Sequence, residues 1–339
     1  DKGRQRGLVC YDRRDGRAVW SRTVDYPKVD STHKTNPFDG STPVTDGERV
    51  VVWHGSAGLF CYDFSGNLLW SRDLGEIDHF LGYASSPIIH NGKVILNFGP
   101  GVNQAMMALE LGSGKTIWKT EEPGGNAAQK PREVASYSTP VVVKIDRKDQ
   151  IVNNMPTRVV AYDPSNCEIL WTVGGIPGRQ DLIYTSPIIA GDIGIAMGGF
   201  NGPRLGYKLG GSGDVTDSSR LWHVTRRNPQ RIGTGVVVND HVFTANVGPG
   251  IIECMNPQTG EIRWQARTPG GDTWASVVYA AGHLYVTSQN GTTHVVRPND
   301  KELDVIASNS LGETTNATPA FSDGHFFFRT HEHLFCISD

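Results

Sequence analysis

The stretch GLFCYDFSGNLLW, residues 58–70, ends in a tryptophan, and close variants of it recur along the chain. They read GLVCYDRRDGRAVW to Trp20, AMMALELGSGKTIW to Trp118, RVVAYDPSNCEILW to Trp171 and IIECMNPQTGEIRW to Trp264. A period of roughly fifty residues marks a repeat array, in which each unit buries its faces against its neighbours. Around Trp70 the unit divides into four strand-length runs: STPV (41–44), RVVVWH (49–54), GLFCYD (58–63) and LLWSRD (68–73). The separators TDGE, GSA and FSGN are turn chemistry, with Gly or Asp where φ must go positive. Such units, repeated end to end, predict an all-β β-propeller of four-stranded antiparallel blades.

The same grammar recurs at 85–98, 185–198, 234–247, 276–289 and 317–330. Six complete units are expected between 41 and 308, a three-strand unit at 317–338 and a two-strand piece at 6–23. That gives eight blades with the first incomplete, or seven as the alternative. Residues 7–12 and 17–22 match only the third and fourth strands of a unit. The missing strands, and any export signal or lipid anchor, are therefore expected upstream of Asp1. With no linker between units, residues 1–339 read as one propeller domain. In the last complete unit Val305 stands where the tryptophan is expected, and residues 203–222 carry a degenerate unit ending at Trp222.

Gly and Pro, 40 and 19 residues, fit a chain rich in tight turns. The net charge of −3 and the lack of a basic block argue against nucleic acid as a partner. The longest apolar runs are strand-length, far too short for a helix to span a bilayer. Cys10, Cys61, Cys254 and Cys336 occupy one strand-3 slot that Ala108 and Ala161 fill elsewhere, so they read as buried small residues rather than disulfide partners. Cys167, in the turn PSNCE, is expected to be exposed.

The phrase A-Y-D-x-x-x-G-x-x-x-W, as in CYDRRDGRAVW, resembles the PQQ-like propeller repeat found in quinoprotein dehydrogenases and in the outer-membrane assembly scaffold. The run at 31–63 also resembles large PQQ-binding-like propeller proteins of planctomycetes. WD40 repeats fit less well, because no GH dipeptide leads the units and no Asp follows the Trp. The resemblance covers the chain and implies a fold; the repeat is shared by enzymes and scaffolds alike. In the quinoproteins a disulfide between adjacent cysteines packs on the cofactor, and this chain has no Cys-Cys pair. No cofactor is therefore expected, PQQ included.

Loops leading into the first strand of each unit gather, in a propeller, at one mouth of the central channel. Here they carry His33, Lys34 and Asn36, then His79 and Tyr83, Arg132 and Tyr137, Arg179 and Tyr184, and further on Arg231 and Trp274. Tyr137, Tyr184 and Trp274 would form an aromatic girdle suited to stacking on sugars, or would pack between blades. His33, Lys34, His79, Arg132, Arg179 and Arg231 would favour an anionic ligand. His33, His79 and Tyr137 are the weak candidates for acid–base chemistry. His325, His331, Glu332 and His333 resemble a metal set by composition, but without the spacing of one, and no metal site is assigned. The leading reading is a monomeric, non-catalytic extracytoplasmic scaffold that presents a loop-lined funnel to a polysaccharide or envelope protein. A carbohydrate-active lyase or hydrolase, and then a quinoprotein oxidoreductase, are the alternatives.

Overall fold

The structure is a computed structural model and describes residues 3–101, 103–122, 135–176, 182–199, 201–225, 231–246 and 250–338. Among these, the strands of the Trp70 unit are Val44–Thr45, Arg49–Trp53, Leu59–Asp63 and Leu68–Arg72, hydrogen-bonded in that order and antiparallel throughout. This strand order repeats in the sheets that carry Trp118, Trp171, Trp222 and Trp264, and in the sheet ending at Asp304–Ser310. A three-stranded sheet, Ala320–Ser322, His325–Arg329 and Leu334–Ile337, follows. Among the described residues this makes seven blade sheets, the lower of the two totals the repeats allow. The strands Gln5–Tyr11 and Ala18–Asp25 form a separate two-stranded sheet outside that count.

The chain divides into two compact units. The first comprises residues 1–174, 180–186 and 211–214, with the Trp20 hairpin and the Trp70, Trp118 and Trp171 blades. Its core clusters join residues of successive blades: Val51, Leu59 and Trp70 pack with Val94, Leu96 and Leu109, while Ile95, Met106 and Trp118 pack with Ile151, Val160 and Tyr162. The second unit holds the Trp222 and Trp264 blades and the two sheets after them. There, Phe243, Ile252 and Trp264 pack with Leu284, Val286 and Val296.

The tryptophans act through one recurring contact. Trp70 Nε1 donates to Leu111 O at 2.9 Å, in the turn between strands 3 and 4 of the following blade. Trp20 reaches Phe64 O, Trp118 reaches Pro164 O, Trp222 reaches Pro257 O and Trp264 reaches Asn299 O in the same manner. The indole also covers the turn's left-handed residue: a Cβ on Gly114 would meet the Trp70 ring at 2.5 Å, and one on Gly260 would meet Trp222 at 2.5 Å. Glycine is required there twice over, by φ of +67° and +71° and by that close approach. The residue two beyond the Trp adds a second tie, as Arg72 Nε donates to Gly114 O and Thr120 Oγ1 to Cys167 O.

Trp171 departs from this pattern because residues 209–219 replace the next strand 3–4 turn. Its Nε1 donates to Gln150 Oε1 at 2.8 Å, and the two-residue strand Gly213–Asp214 pairs in parallel with Ile169–Gly174. Three expectations are corrected. The register Val295↔Ala307 puts Ala307, not Val305, in the Trp slot, since Val305 pairs with Val296 beyond the bulge. Cys167 is buried, not exposed: it takes the turn position that glycine fills elsewhere, at φ +62°, beneath the Trp118 blade. Cys336 is exposed and Cys10 half-buried, because their sheets have three and two strands.

Candidate functional site

In the first unit the loops leading into strand 1 pack on one another. Ala135–Ser136 and Leu182–Ile183, each just before a blade's first strand, form a short parallel pair. A buried polar network fixes them. Asn97 Nδ2 donates to Ser136 Oγ and Ser138 O, Gln104 Nε2 to Asn97 Oδ1, and Ser136 Oγ to Asn154 O. Asn154 Nδ2 donates to Thr185 O. Asn97, Gln104, Ser136 and Asn154 are fully buried, which makes each of these bonds costly to lose and holds the loop bases in place.

On this base the structure brings together Asn36, His79, Tyr83, Tyr137 and Tyr184. Tyr137 O–H lies 2.7 Å from His79 Nδ1, and its ring centroid lies 5.9 Å from that of Tyr184. The Leu81 N–H also donates to His79 Nδ1, which assigns that nitrogen as acceptor and places the imidazole proton on Nε2. Burial holds the His79 pKa down at about 4, against a small opposing pull from Asp78. Burial, with a lesser effect of Tyr184, holds Tyr137 well above the usual phenol range. Both groups are therefore neutral across the physiological range.

Asn36 Nδ2 donates to Leu81 O at 2.8 Å and ties its loop to the His79 turn. Tyr83 is buried against Trp53 and donates to Phe38 O at 3.0 Å. His33 and Lys34 are exposed on the same loop, with His33 Nδ1 2.8 Å from Thr35 Oγ1. Arg132 and Arg179 lie outside the described residues. Arg231 and Trp274 belong to the second unit, Trp274 half-buried and Arg231 almost fully buried.

Arg231 is part of a charged group that the sequence reading did not assemble. Its Nη2 bonds Glu253 Oε2, and Arg204 Nη1 lies 3.8 Å from the same oxygen. Thr244 Oγ1 shares that oxygen at 3.5 Å. Repeat alignment held the signal: counted from the residue paired with the blade's Trp, the Arg204 slot holds Leu59, Met106, Val159 and Ile252 in sibling strands. Glu253 likewise replaces Phe60, Met107 and Val160. Of the suspected metal set, Glu332 and His333 come together with Glu313, all ligand atoms within 4.8 Å, and His333 Nδ1 is hydrogen-bonded to Glu313. His325 and His331 are not in that group.

A family model described as the outer membrane protein assembly factor BamB matches residues 5–266 and 248–337. The outer membrane protein assembly factor BamB of Vibrio cholerae serotype O1 is 27% identical over 120 residues, 33% of this chain and 28% of that protein. The match thus spans less than a third of that relative's length. The crystal structure of BamB from Moraxella catarrhalis has a TM-score of 0.68 at 16% identity, covering 97% of this chain and 92% of that one. At that identity the likeness speaks for the fold, a PQQ-like β-propeller. No helix among the described residues is long and apolar enough to cross a membrane.

Proposed function

We infer the function from the family: the chain belongs to that of the outer membrane protein assembly factor BamB. On this reading it is a non-catalytic scaffold of the cell envelope, exported and working at the outer membrane, where it binds a protein partner. The observation that carries this at the residue level is the His79–Tyr137 pair. Two of the three candidate acid–base groups, His79 and Tyr137, are spent on a buried hydrogen bond, in protonation states that do not change near neutrality. A general acid or base works best with a pKa near the operating pH, and these are tuned away from it.

The loops that carry His33, Lys34 and Asn36 then serve as a contact surface on a rigid base. The absence of adjacent cysteines in the sequence favours function without a quinone. The test is in-cell crosslinking from Lys34, with the adduct identified, alongside assays of uronic-acid polysaccharides for new unsaturated or reducing ends. The scaffold reading expects a component of the outer-membrane protein assembly machinery and no turnover. Polysaccharide cleavage that disappears in His33→Ala, with folding intact, would overturn it in favour of a carbohydrate-active enzyme.

A further inference from the structure

We propose that Arg204, Arg231, Glu253 and Asn246 form a binding site for a single carboxylate in the second unit, independent of the scaffold reading. Glu253 Oε2 is bonded to Arg231 and also approached by Thr244, so Arg204 receives only a loose contact at 3.8 Å. Among the described residues, Arg204 Nε is buried with no hydrogen-bond partner. A guanidinium in that state is incompletely neutralised, and burial of an incompletely paired charge is unfavourable unless an anion completes it. Burial, with the repulsion of Arg231, lowers the Arg204 pKa despite Glu253.

Asn246 supplies the second, neutral half of the site. It follows strand His241–Ala245, and its N–H continues the ladder to Ile251 O at 3.0 Å. Side-chain alternation then places it on the face of Thr244, which pairs directly with Glu253. Among the described residues, its side-chain Nδ2 and Oδ1 are both buried and unpartnered, in a residue with no exposed surface. Buried amides are rarely left unbonded without a ligand or water to complete them.

Arg204 keeps 10% of its side-chain surface open. A carboxylate fits the planar guanidinium edge through Nε and accepts from the Asn246 amide, whereas a cation would be repelled. Architecture does not require these residues, since sibling repeats place Met106 and Ile252 in the Arg204 slot.

The ligand is either a free small carboxylate or an acidic side chain of a bound peptide, and two probes separate them. Sodium acetate, and separately the capped tripeptide acetyl-Gly-Glu-Gly-amide, are titrated by calorimetry against sodium chloride at equal ionic strength. The site predicts saturable binding of at least one probe, weakened at least tenfold in Arg204→Met and in Asn246→Ala. Acetate binding alone identifies a free carboxylate, and preference for the tripeptide identifies an acidic peptide. No saturable binding of either probe, or equal binding by both variants and the wild type, overturns the proposal.

Discussion

Burial decides the chemistry of single residues here. Cys61 and Cys167 have thiol pKa values pushed up to about 11, and Cys254 to about 12, each chiefly by desolvation. Thiolate is the reactive form, so these three are inert in the folded protein. A maleimide probe under native conditions should modify exposed Cys336 first and half-buried Cys10 more slowly, with all five labelled only in denaturant. Rapid native labelling at Cys167 would contradict its place in the covered turn. His79 gives a pH signature of the same origin. Its folded pKa of about 4 lies below the ordinary 6.5, so between those values the unfolded chain binds a proton that the folded chain refuses. This contribution is intact above pH 6.5 and is lost as pH falls towards 4, by on the order of 2–3 kcal/mol. His54, also held down to about 4 by burial and then by Arg6, adds to it. Urea denaturation of His79→Gln across that window should show a shallower fall in stability than the wild type.

At the scale of the element, each blade is tied to the next by an indole over a turn. Removing Trp118, which is 8% exposed, deletes both the ring and its bond to Pro164 O. Trp118→Ala should cost about 3–5 kcal/mol in urea denaturation. A cost below 1 kcal/mol would show that the indole is peripheral. Charges buried in strand slots behave otherwise. Arg204→Met, which copies Met106 of a sibling blade, should be neutral or stabilising by about 1–2 kcal/mol. Arg231→Ala deletes the closer of Glu253's two guanidinium partners and leaves Arg204 as the other, so it should cost about 1–3 kcal/mol. The blades were legible from the repeat phrase because strand alternation, turn glycines and the terminal Trp are all local signals. The Trp slot of the last complete blade is two residues beyond the expected one because its strand 3–4 turn is longer: Ala307 lies 12 residues after Val295, where Trp264 lies 10 after Cys254, so the repeat spacing stops at Val305. The Arg204–Glu253 pair escaped notice because its members lie 49 positions apart in different repeats, and only slot-by-slot comparison shows both as departures from apolar siblings.

Taken as a whole molecule, the chain repeats one four-stranded sheet and joins its copies by loops that differ from blade to blade, and the scaffold account puts partner binding on those loops. The His79 cluster shows how little of that surface could be assigned from residue type alone. The aromatic and basic residues of the loops were visible in the sequence, but their partners were not, so a buried Tyr–His bond and an exposed contact residue looked alike. Loss of an assembly scaffold lowers the yield of folded outer-membrane protein without abolishing any single reaction. The most direct measurement is therefore the amount of folded outer-membrane β-barrel protein, read by heat-modifiable mobility, in cells lacking this chain. The scaffold account predicts a several-fold drop that is restored by expression of the wild-type chain. Unchanged barrel levels in the deletion strain would contradict it.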